Sequence, residues 1–313
     1  MSLPQKIFVA STSFSHSEIL RTELLSHFPN TVFNHERQLN ALEFEEAVRG
    51  FEGVIVGLDE INEKMLSGHP ELKIVSKFGV GIDNIDVDAC KRHEVKIGWT
   101  PGTNRLDVAE HTLALIIGIA RNILLKHQEL KKGLWKKNGG HSLSELTVGI
   151  VGLGNIGKEL VRFLHFFGSK ILVHDLVYDD EFCHKYDLTK VSKEELLRQA
   201  DIVTLHIPLT KETYYYISDS EFGLMKNNAW IINTSRGKNV ERNALKRALE
   251  QKLIAGAALD VFEEEPCEDI DLLAFPNLIS TPHIAGNSQR AVLSMGRSSI
   301  AHLVDHFSKK VLS

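Results

Sequence analysis

The sequence predicts an α/β protein made of two doubly wound parallel-sheet domains, and three observations carry that expectation. Short apolar runs alternate with amphipathic helical stretches along almost the whole chain, the pattern of β-α-β crossovers. Near the middle, the run Val148–Val151 meets Gly152-Leu-Gly154-Asn-Ile-Gly157, then a helical pattern, then a second apolar run. The 313 residues, 43% hydrophobic and 25% charged, are enough for two domains with sizeable cores.

In the first part of the chain, strands are expected at Ile7–Ala10, Thr31–Phe33, Val54–Val56, Ile74–Lys77 and Val95–Gly98. Helices fall between them at Ser17–His27, Leu42–Arg49, Glu63–Ser67 and Val87–His93. The first strand runs into Ser11-Thr-Ser-Phe, with no glycine-rich turn, so this domain is not the dinucleotide binder. Thr100-Pro-Gly-Thr103 is a loop and a hinge candidate. A long helix is expected from Arg105 to about Gln128, with Leu113, Ile116, Ile117, Ala120, Ile123 and Leu124 at helical spacing. The basic, glycine-punctuated arm from Leu130 to Gly140 then reads as a solvated loop, or as a partner contact through Trp135.

The glycine-rich turn comes next. Gly152 suits the tight turn, Gly154 the approach of a pyrophosphate, and Gly157 close packing of helix on strand. The helix amides and dipole attract phosphate, and Leu160, Val161, Leu164 and Phe167 form the inward face. Gly168 caps the helix before the run Ile171–Val173. Asp175 ends that strand 18 residues after Gly157, where a carboxylate can take both ribose hydroxyls and repel a 2′-phosphate. The cofactor expected is therefore NAD.

Further strands are expected at Ile202–His206, Trp230–Thr234, Gly256–Asp260 and Leu278–Ser280, with helices at Lys193–Gln199, Asp219–Met225 and Glu241–Glu250. The tail from Ser288 to Leu312 is helical. Residues 1–102 and 287–313 are expected to form a discontinuous substrate domain, and 103–286 the NAD-binding domain.

A net charge of −5, with no long basic run, points away from nucleic acid. The longest apolar stretch, Leu113–Ala120, is too short to cross a bilayer, and the first residues lack a signal-peptide layout, so no membrane association is expected. Cys90, Cys183 and Cys267 have no metal-type spacing. They read as reduced thiols of a cytoplasmic protein without a metal.

Three polar residues lie just past strand ends: Arg236, Glu265 and His283. In doubly wound sheets, ligands sit outside the carboxyl ends of the strands. The planar fork of Arg236 suits a carboxylate. Glu265 can hold one imidazole nitrogen of His283, set its tautomer and favour its charged form, making a general acid–base pair.

With those residues in place, the chain resembles the NAD-dependent D-isomer-specific 2-hydroxyacid dehydrogenases. The motifs are KFGVGIDNID (Lys77–Asp86), VGLGNIG, NTSRG (Asn233–Gly237), ALDVFEEEP (Ala258–Pro266) and TPHIAG (Thr281–Gly286). The resemblance implies a flavodoxin-like substrate domain and a Rossmann-type NAD domain, closing about Thr100–Thr103 and Gly286. Arg236 would hold the substrate carboxylate and carbonyl, and His283, paired with Glu265, would exchange the substrate proton. Asp260 would bind the nicotinamide carboxamide, and Val80 and Gly81 would offer amides to the substrate, Val80 also lying near the cofactor. Asn155 and Ile156 would contact the pyrophosphate, and Thr234, Ser235 and His283–Gly286 would flank the nicotinamide end. His206 is counted with the cofactor residues.

Within the family the chain looks most like D-3-phosphoglycerate dehydrogenases lacking the regulatory domain, with Lys77 standing where those enzymes place an arginine near the substrate phosphate. Gly57 departs from the second arginine they often carry, so glyoxylate, hydroxypyruvate and D-lactate chemistry stay open. Ending at Ser313, the chain is not expected to show serine feedback through a C-terminal domain. A non-catalytic NAD-sensing corepressor is the alternative class, disfavoured by the intact Arg/Glu/His set. Glutamate rather than glutamine at 265 disfavours a formate dehydrogenase. The resemblance also implies a homodimer through the NAD-binding domain.

Overall fold

The computed structural model describes residues 2–308. It divides into two compact units, one made of the chain up to Asn104 together with the segment from Asn287 onward, the other Arg105–Gly286.

The first unit carries β1 (Ile7–Val9), β2 (Thr31–Phe33), β3 (Gly53–Val56), β4 (Ile74–Lys77) and β5 (Lys96–Gly98). They form one parallel sheet in the order β2-β1-β3-β4-β5. Every residue of β3 and β4 is buried, as expected of strands covered on both faces. One face packs Ile7, Ile55 and Ile74 against Leu20, Leu24 and, from the helix Gln289–Ser308, Ala291, Met295 and Leu303. The other packs Val54, Val56 and Val75 against Phe44, Met65, Leu66 and Ala89. The helix expected to start at Ser17 is preceded by a short one, Thr12–His16, because Ser11 and Ser17 each cap a separate start.

The second unit carries β6 (Thr147–Val151), β7 (Lys170–His174), β8 (Thr189–Lys190), β9 (Ile202–Leu205), β10 (Trp230–Asn233), β11 (Gly256–Leu259) and β12 (Leu278–Ser280). The order is β12-β11-β10-β9-β6-β7-β8, again all parallel. Connections run from β6 outward to β7 and β8 and then back across to β9, so the topological switch point lies at β6, the strand that ends in the glycine turn. The helix Asn155–Phe166 buries Leu160, Val161 and Leu164 against Ile150 and Val173. Each fully buried leucine contributes about 1.5–3 kcal/mol. Phe167, expected on that inward face, is the C-cap residue and is 42% exposed.

The long helix is corrected as well. The long helix ends at Ala120, and a second, Ile123–Lys131, leaves it at a 60° bend. Asn122 adopts φ 53°, a left-handed conformation that asparagine tolerates better than most residues. The end of the arm folds back to satisfy the helix terminus: His141 N donates to Ala120 O (2.8 Å), and Arg121 Nε donates to Gly139 O (3.0 Å). Ile123 and Leu124 consequently lie exposed rather than in the core. No single described helix is long and apolar enough to cross a membrane.

Candidate active site

The glycine turn has the form its spacing predicts. Gly152 has φ 96°, and a Cβ there would lie 2.5 Å from the His206 carbonyl oxygen. A Cβ on Gly157 would lie 2.1 Å from the Gly152 carbonyl oxygen, so helix and strand meet only because both positions lack side chains. At Gly154 nothing lies within 4 Å of where a Cβ would be. Gly154 is also the N-cap and supplies no side-chain cap, so the amides of Asn155, Ile156 and Gly157 open onto this space. These features fit a dinucleotide pyrophosphate.

Asp175, half-buried directly after β7, ties the turn to the neighbouring strand. Its Oδ2 accepts from Leu153 N (2.5 Å) and its Oδ1 from Leu176 N (2.6 Å). Oδ1 also accepts from Val177 N (3.3 Å), so Oδ2, with one protein donor, keeps the acceptor capacity for a ribose hydroxyl. Beside the cofactor role expected of it, Asp175 braces the glycine turn.

His206 follows β9. It is half-buried as a residue, yet its Nδ1 is fully enclosed without a partner among the described residues, and its Nε2 lies 3.0 Å from Thr204 Oγ1. Burial pushes the imidazole down to about 3. The folded state thus binds fewer protons here than the unfolded chain, so this contribution to stability is complete above the ordinary histidine range, near 6.5. It is lost as pH falls from there towards about 3. Melting temperature measured across that window should decline less steeply in His206→Gln than in the parent.

Arg236, Glu265 and His283 follow the three adjacent strands β10, β11 and β12, whose last residues Asn233, Leu259 and Ser280 are in register. His283 Nδ1 lies 2.6 Å from Glu265 Oε2, and Glu265 Oε1 accepts from Phe262 N at 3.0 Å. Burial pushes the Glu265 carboxyl up, but the His283 contact, the Phe262 amide and the Arg236 charge outweigh it, and the net shift is downward. An ionised carboxylate can only accept, so His283 Nδ1 must carry the hydrogen, leaving Nε2 as the nitrogen whose proton can change. The influence of Arg236 on Glu265 places a guanidinium within electrostatic reach of this pair. Its Nη1 donates to Ser235 O at 2.7 Å.

His283 sits at φ 53°, a conformation costly for a residue with a Cβ. The restraint comes from Asp260, whose carboxylate is hydrogen-bonded within the histidine loop. Its Oδ1 accepts from Thr281 Oγ1 (2.6 Å) and Ile284 N (2.9 Å), and its Oδ2 from Ala285 N (2.9 Å). The Asp260 carbonyl accepts from His283 N at 2.8 Å. Asp260 is 1% exposed, so it brackets the whole Thr281–Ala285 loop from inside the unit. Sequence reasoning missed His111, which reaches Thr281 Oγ1 from the helix Arg105–Ala120 (3.2 Å). It also missed Thr112, which contacts Thr234 Oγ1 (3.0 Å). The available signal was Asp107 with His111 and Thr112 four and five residues on, polar residues in the first half of a helix whose second half is apolar. Ser235 is buried and donates to Asn233 Oδ1 (2.7 Å), fixing the turn before Arg236, and Gly286 closes the histidine loop at the unit's end.

Lys77, Val80 and Gly81 belong to the first unit. Trp99 Nε1 donates to the Val80 carbonyl (2.9 Å), and the Val80 and Gly81 amides donate to no described protein group. Lys77 is 5% exposed, and its ammonium turns inward to the Gly57 carbonyl and to Asn84 Oδ1.

Residues 113–285 match the family model described as D-isomer specific 2-hydroxyacid dehydrogenase, NAD binding domain. The chain is 38% identical over 255 residues to the glyoxylate reductase of Thermococcus litoralis, covering 79% of this chain and 76% of that protein. It is 35% identical over 275 residues to the D-3-phosphoglycerate dehydrogenase of Bacillus subtilis, covering 87% of this chain but 52% of that longer protein. Among solved structures, the D-lactate dehydrogenase of Aquifex aeolicus, complexed with NAD and lactic acid, superposes with a TM-score of 0.84 at 28% identity, covering 98% of this chain and 96% of that one.

Proposed function

Because the chain belongs to the D-isomer-specific 2-hydroxyacid dehydrogenases, we propose that Arg236, His283 and Glu265 are the groups with which it interconverts a 2-oxoacid and its D-2-hydroxy acid. It is an NAD-dependent oxidoreductase. The observation that carries the residue assignment is the 2.6 Å contact between His283 Nδ1 and Glu265 Oε2, made at the carboxyl ends of β11 and β12 beside Arg236.

NADH, when bound, supplies the hydride to the carbonyl carbon. Arg236 takes the substrate carboxylate with its fork and stabilises negative charge growing on the carbonyl oxygen. Protonated His283 delivers the Nε2 proton to that oxygen, and in the oxidative direction Nε2 takes the proton back. Glu265 holds the Nδ1 hydrogen throughout, so the ring neither rotates nor changes tautomer between turnovers. Val80 and Gly81, whose amides donate to no acceptor among the described residues, supply further donors to the substrate carboxylate. The open space at Gly154 and the helix start at Asn155 receive the pyrophosphate, with Asp175 on the ribose. Thr234, Ser235 and the His283–Gly286 loop flank the nicotinamide end, and His206 belongs with the cofactor residues.

The test is a steady-state screen of 2-oxoacids with NADH and NADPH side by side, with chiral analysis of the product. Consumption of NADH with a D product supports the reading. NADH binding with no turnover on any substrate would transfer support to the NAD-sensing alternative. Glu265→Gln should lower kcat by about 10²-fold, since the amide no longer compels the hydrogen onto Nδ1. Unchanged turnover in that variant would remove Glu265 from the machinery.

The unit also supports a homodimer. The helix Ile123–Lys131 buries no residue, and Ile123, Leu125, Leu130 and Leu134 are exposed on or beside it, with Trp135 76% exposed on the arm. Sedimentation should give twice the chain mass, and Trp135→Asp should weaken that association. The three free cysteines support a cytoplasmic setting.

A further inference from the structure

The substrate class follows from how the first unit disposes of its charges, given the catalytic reading above. In a doubly wound sheet, ligands approach the carboxyl ends of the strands. Soon after those ends come Glu36 and Arg37 (after β2), Asp59 and Glu60 (after β3) and Lys77 itself (ending β4). The Arg37 guanidinium is held bidentately by Glu43, at 2.6 and 2.8 Å. Lys77 is more firmly committed. Its ammonium donates to the Gly57 carbonyl and to Asn84 Oδ1 (2.7 Å). Asn84 Nδ2 in turn donates to Asp59 O (2.5 Å), and the Asp59 carboxylate accepts from Gly57 N (3.0 Å) and Gln38 Nε2 (2.7 Å). Burial pushes the Asp59 carboxyl up, against the pull of these donors and of the Lys77 charge. Lysine and aspartate therefore belong to one enclosed polar network, in which each compensates the other.

The same network underlies the turn that offers the Val80 and Gly81 amides. Lys77 O accepts from Ser299 Oγ (2.8 Å) and Phe78 N donates to Val56 O (2.9 Å), while Trp99 grips the far side at Val80 O. The start of the turn is clamped through Lys77 and its end through Trp99. Drawing the ammonium out to meet a phosphate would leave the Gly57 carbonyl with only the longer bond from Asn84 Nδ2 (3.3 Å) and the Asp59 carboxylate without the Lys77 counter-charge, and would loosen the turn that binds the substrate carboxylate.

We propose that Lys77 is a positioning residue that locks the Phe78–Gly81 turn, and that the enzyme therefore acts on non-phosphorylated 2-oxoacids rather than on a phosphorylated one. Hydroxypyruvate and 3-phosphohydroxypyruvate, which differ only in the phosphoryl group, form the test pair. With NADH and the full chain, kcat/KM is expected to be at least about tenfold higher for hydroxypyruvate. Lys77→Met should raise KM about tenfold for whichever 2-oxoacids are turned over, with kcat changed less than about threefold, because a loosened turn weakens carboxylate binding without touching the proton donor. Asn84→Ala, which removes one acceptor of the ammonium, should give the same split, and the wild-type ratio decides the substrate class even where Lys77→Met does not fold. Preference for 3-phosphohydroxypyruvate, or a Lys77→Met defect confined to that substrate, would overturn the proposal. Absence of turnover on every 2-oxoacid would overturn the catalytic reading and this inference with it, and is told apart by the lack of any rate to compare.

Discussion

Alanine in place of His283 is expected to lower kcat for 2-oxoacid reduction by about 10³-fold, within the range that general acid–base groups supply. The dissociation constant for NADH, read from nicotinamide fluorescence, should move less than about threefold. The division follows from the geometry. His283 is joined to Glu265 through Nδ1, so the group lost is the proposed proton donor and the imidazole that Glu265 holds. The glycine turn, the helix start at Asn155 and Asp175 lie after other strands and keep their hydrogen bonds. Alanine also relieves no clash and opens no core cavity, because the ring is partly exposed. The left-handed backbone at 283 persists in the variant, since the Asp260 bracket acts on neighbouring amides rather than on the ring. Parallel losses of turnover and NADH affinity would show that residue 283 shapes the cofactor site instead of exchanging a proton.

Arg236→Ala should act on the other half of the chemistry and lower kcat/KM by about 10⁴-fold. Losing a donor aimed at developing oxyanion charge costs about 10²–10³ in rate. Losing a charge-assisted hydrogen bond to a carboxylate costs a further 1.5–3 kcal/mol, roughly one to two decades in binding. Arg236→Lys should recover only part, because a point charge cannot reproduce the fork. There is a secondary signature: the Arg236 charge helps hold the Glu265 carboxyl below its ordinary value. Without it Glu265 takes up a proton at a higher pH, and the support it lends His283 is lost sooner as pH falls. The acidic side of the rate profile in Arg236→Lys, which keeps a charge there, should therefore resemble the parent more than that of Arg236→Ala. Turnover in Arg236→Ala within a factor of ten of the parent would remove the arginine from the site.

Much of this was legible before any coordinates. Ile74–Lys77, Thr31–Phe33 and Leu278–Ser280 form as strands over the expected residues, because short β-branched or aromatic runs bounded by turn residues favour extended backbone in the middle of a sheet and at its edges alike. The edge strand Thr189–Lys190 escaped notice because both its residues are exposed and carry no apolar pattern. The break at Arg121–Asn122 was equally hidden: the apolar spacing runs straight through it, and only the arm returning to cap Ala120 ends the helix. Phe167 keeps its helical spacing but falls on the cap, where spacing no longer dictates burial.

For the site, local sequence by itself located the glycine turn, the carboxylate after the next strand and the three candidate groups at strand ends, because each depends on a residue type at a fixed offset from a strand. What those groups do to one another was decided by tertiary structure. The sequence shows Asp260 and Lys77 only as charges near motifs, and nothing local reveals which way a charged side chain turns. The fold buries both, and a buried charge must find its partners inside: Asp260 in the amides of the histidine loop, Lys77 in Gly57 and Asn84. Those partners come from up to 25 residues away in the chain and are brought within hydrogen-bonding distance only by strand order and register.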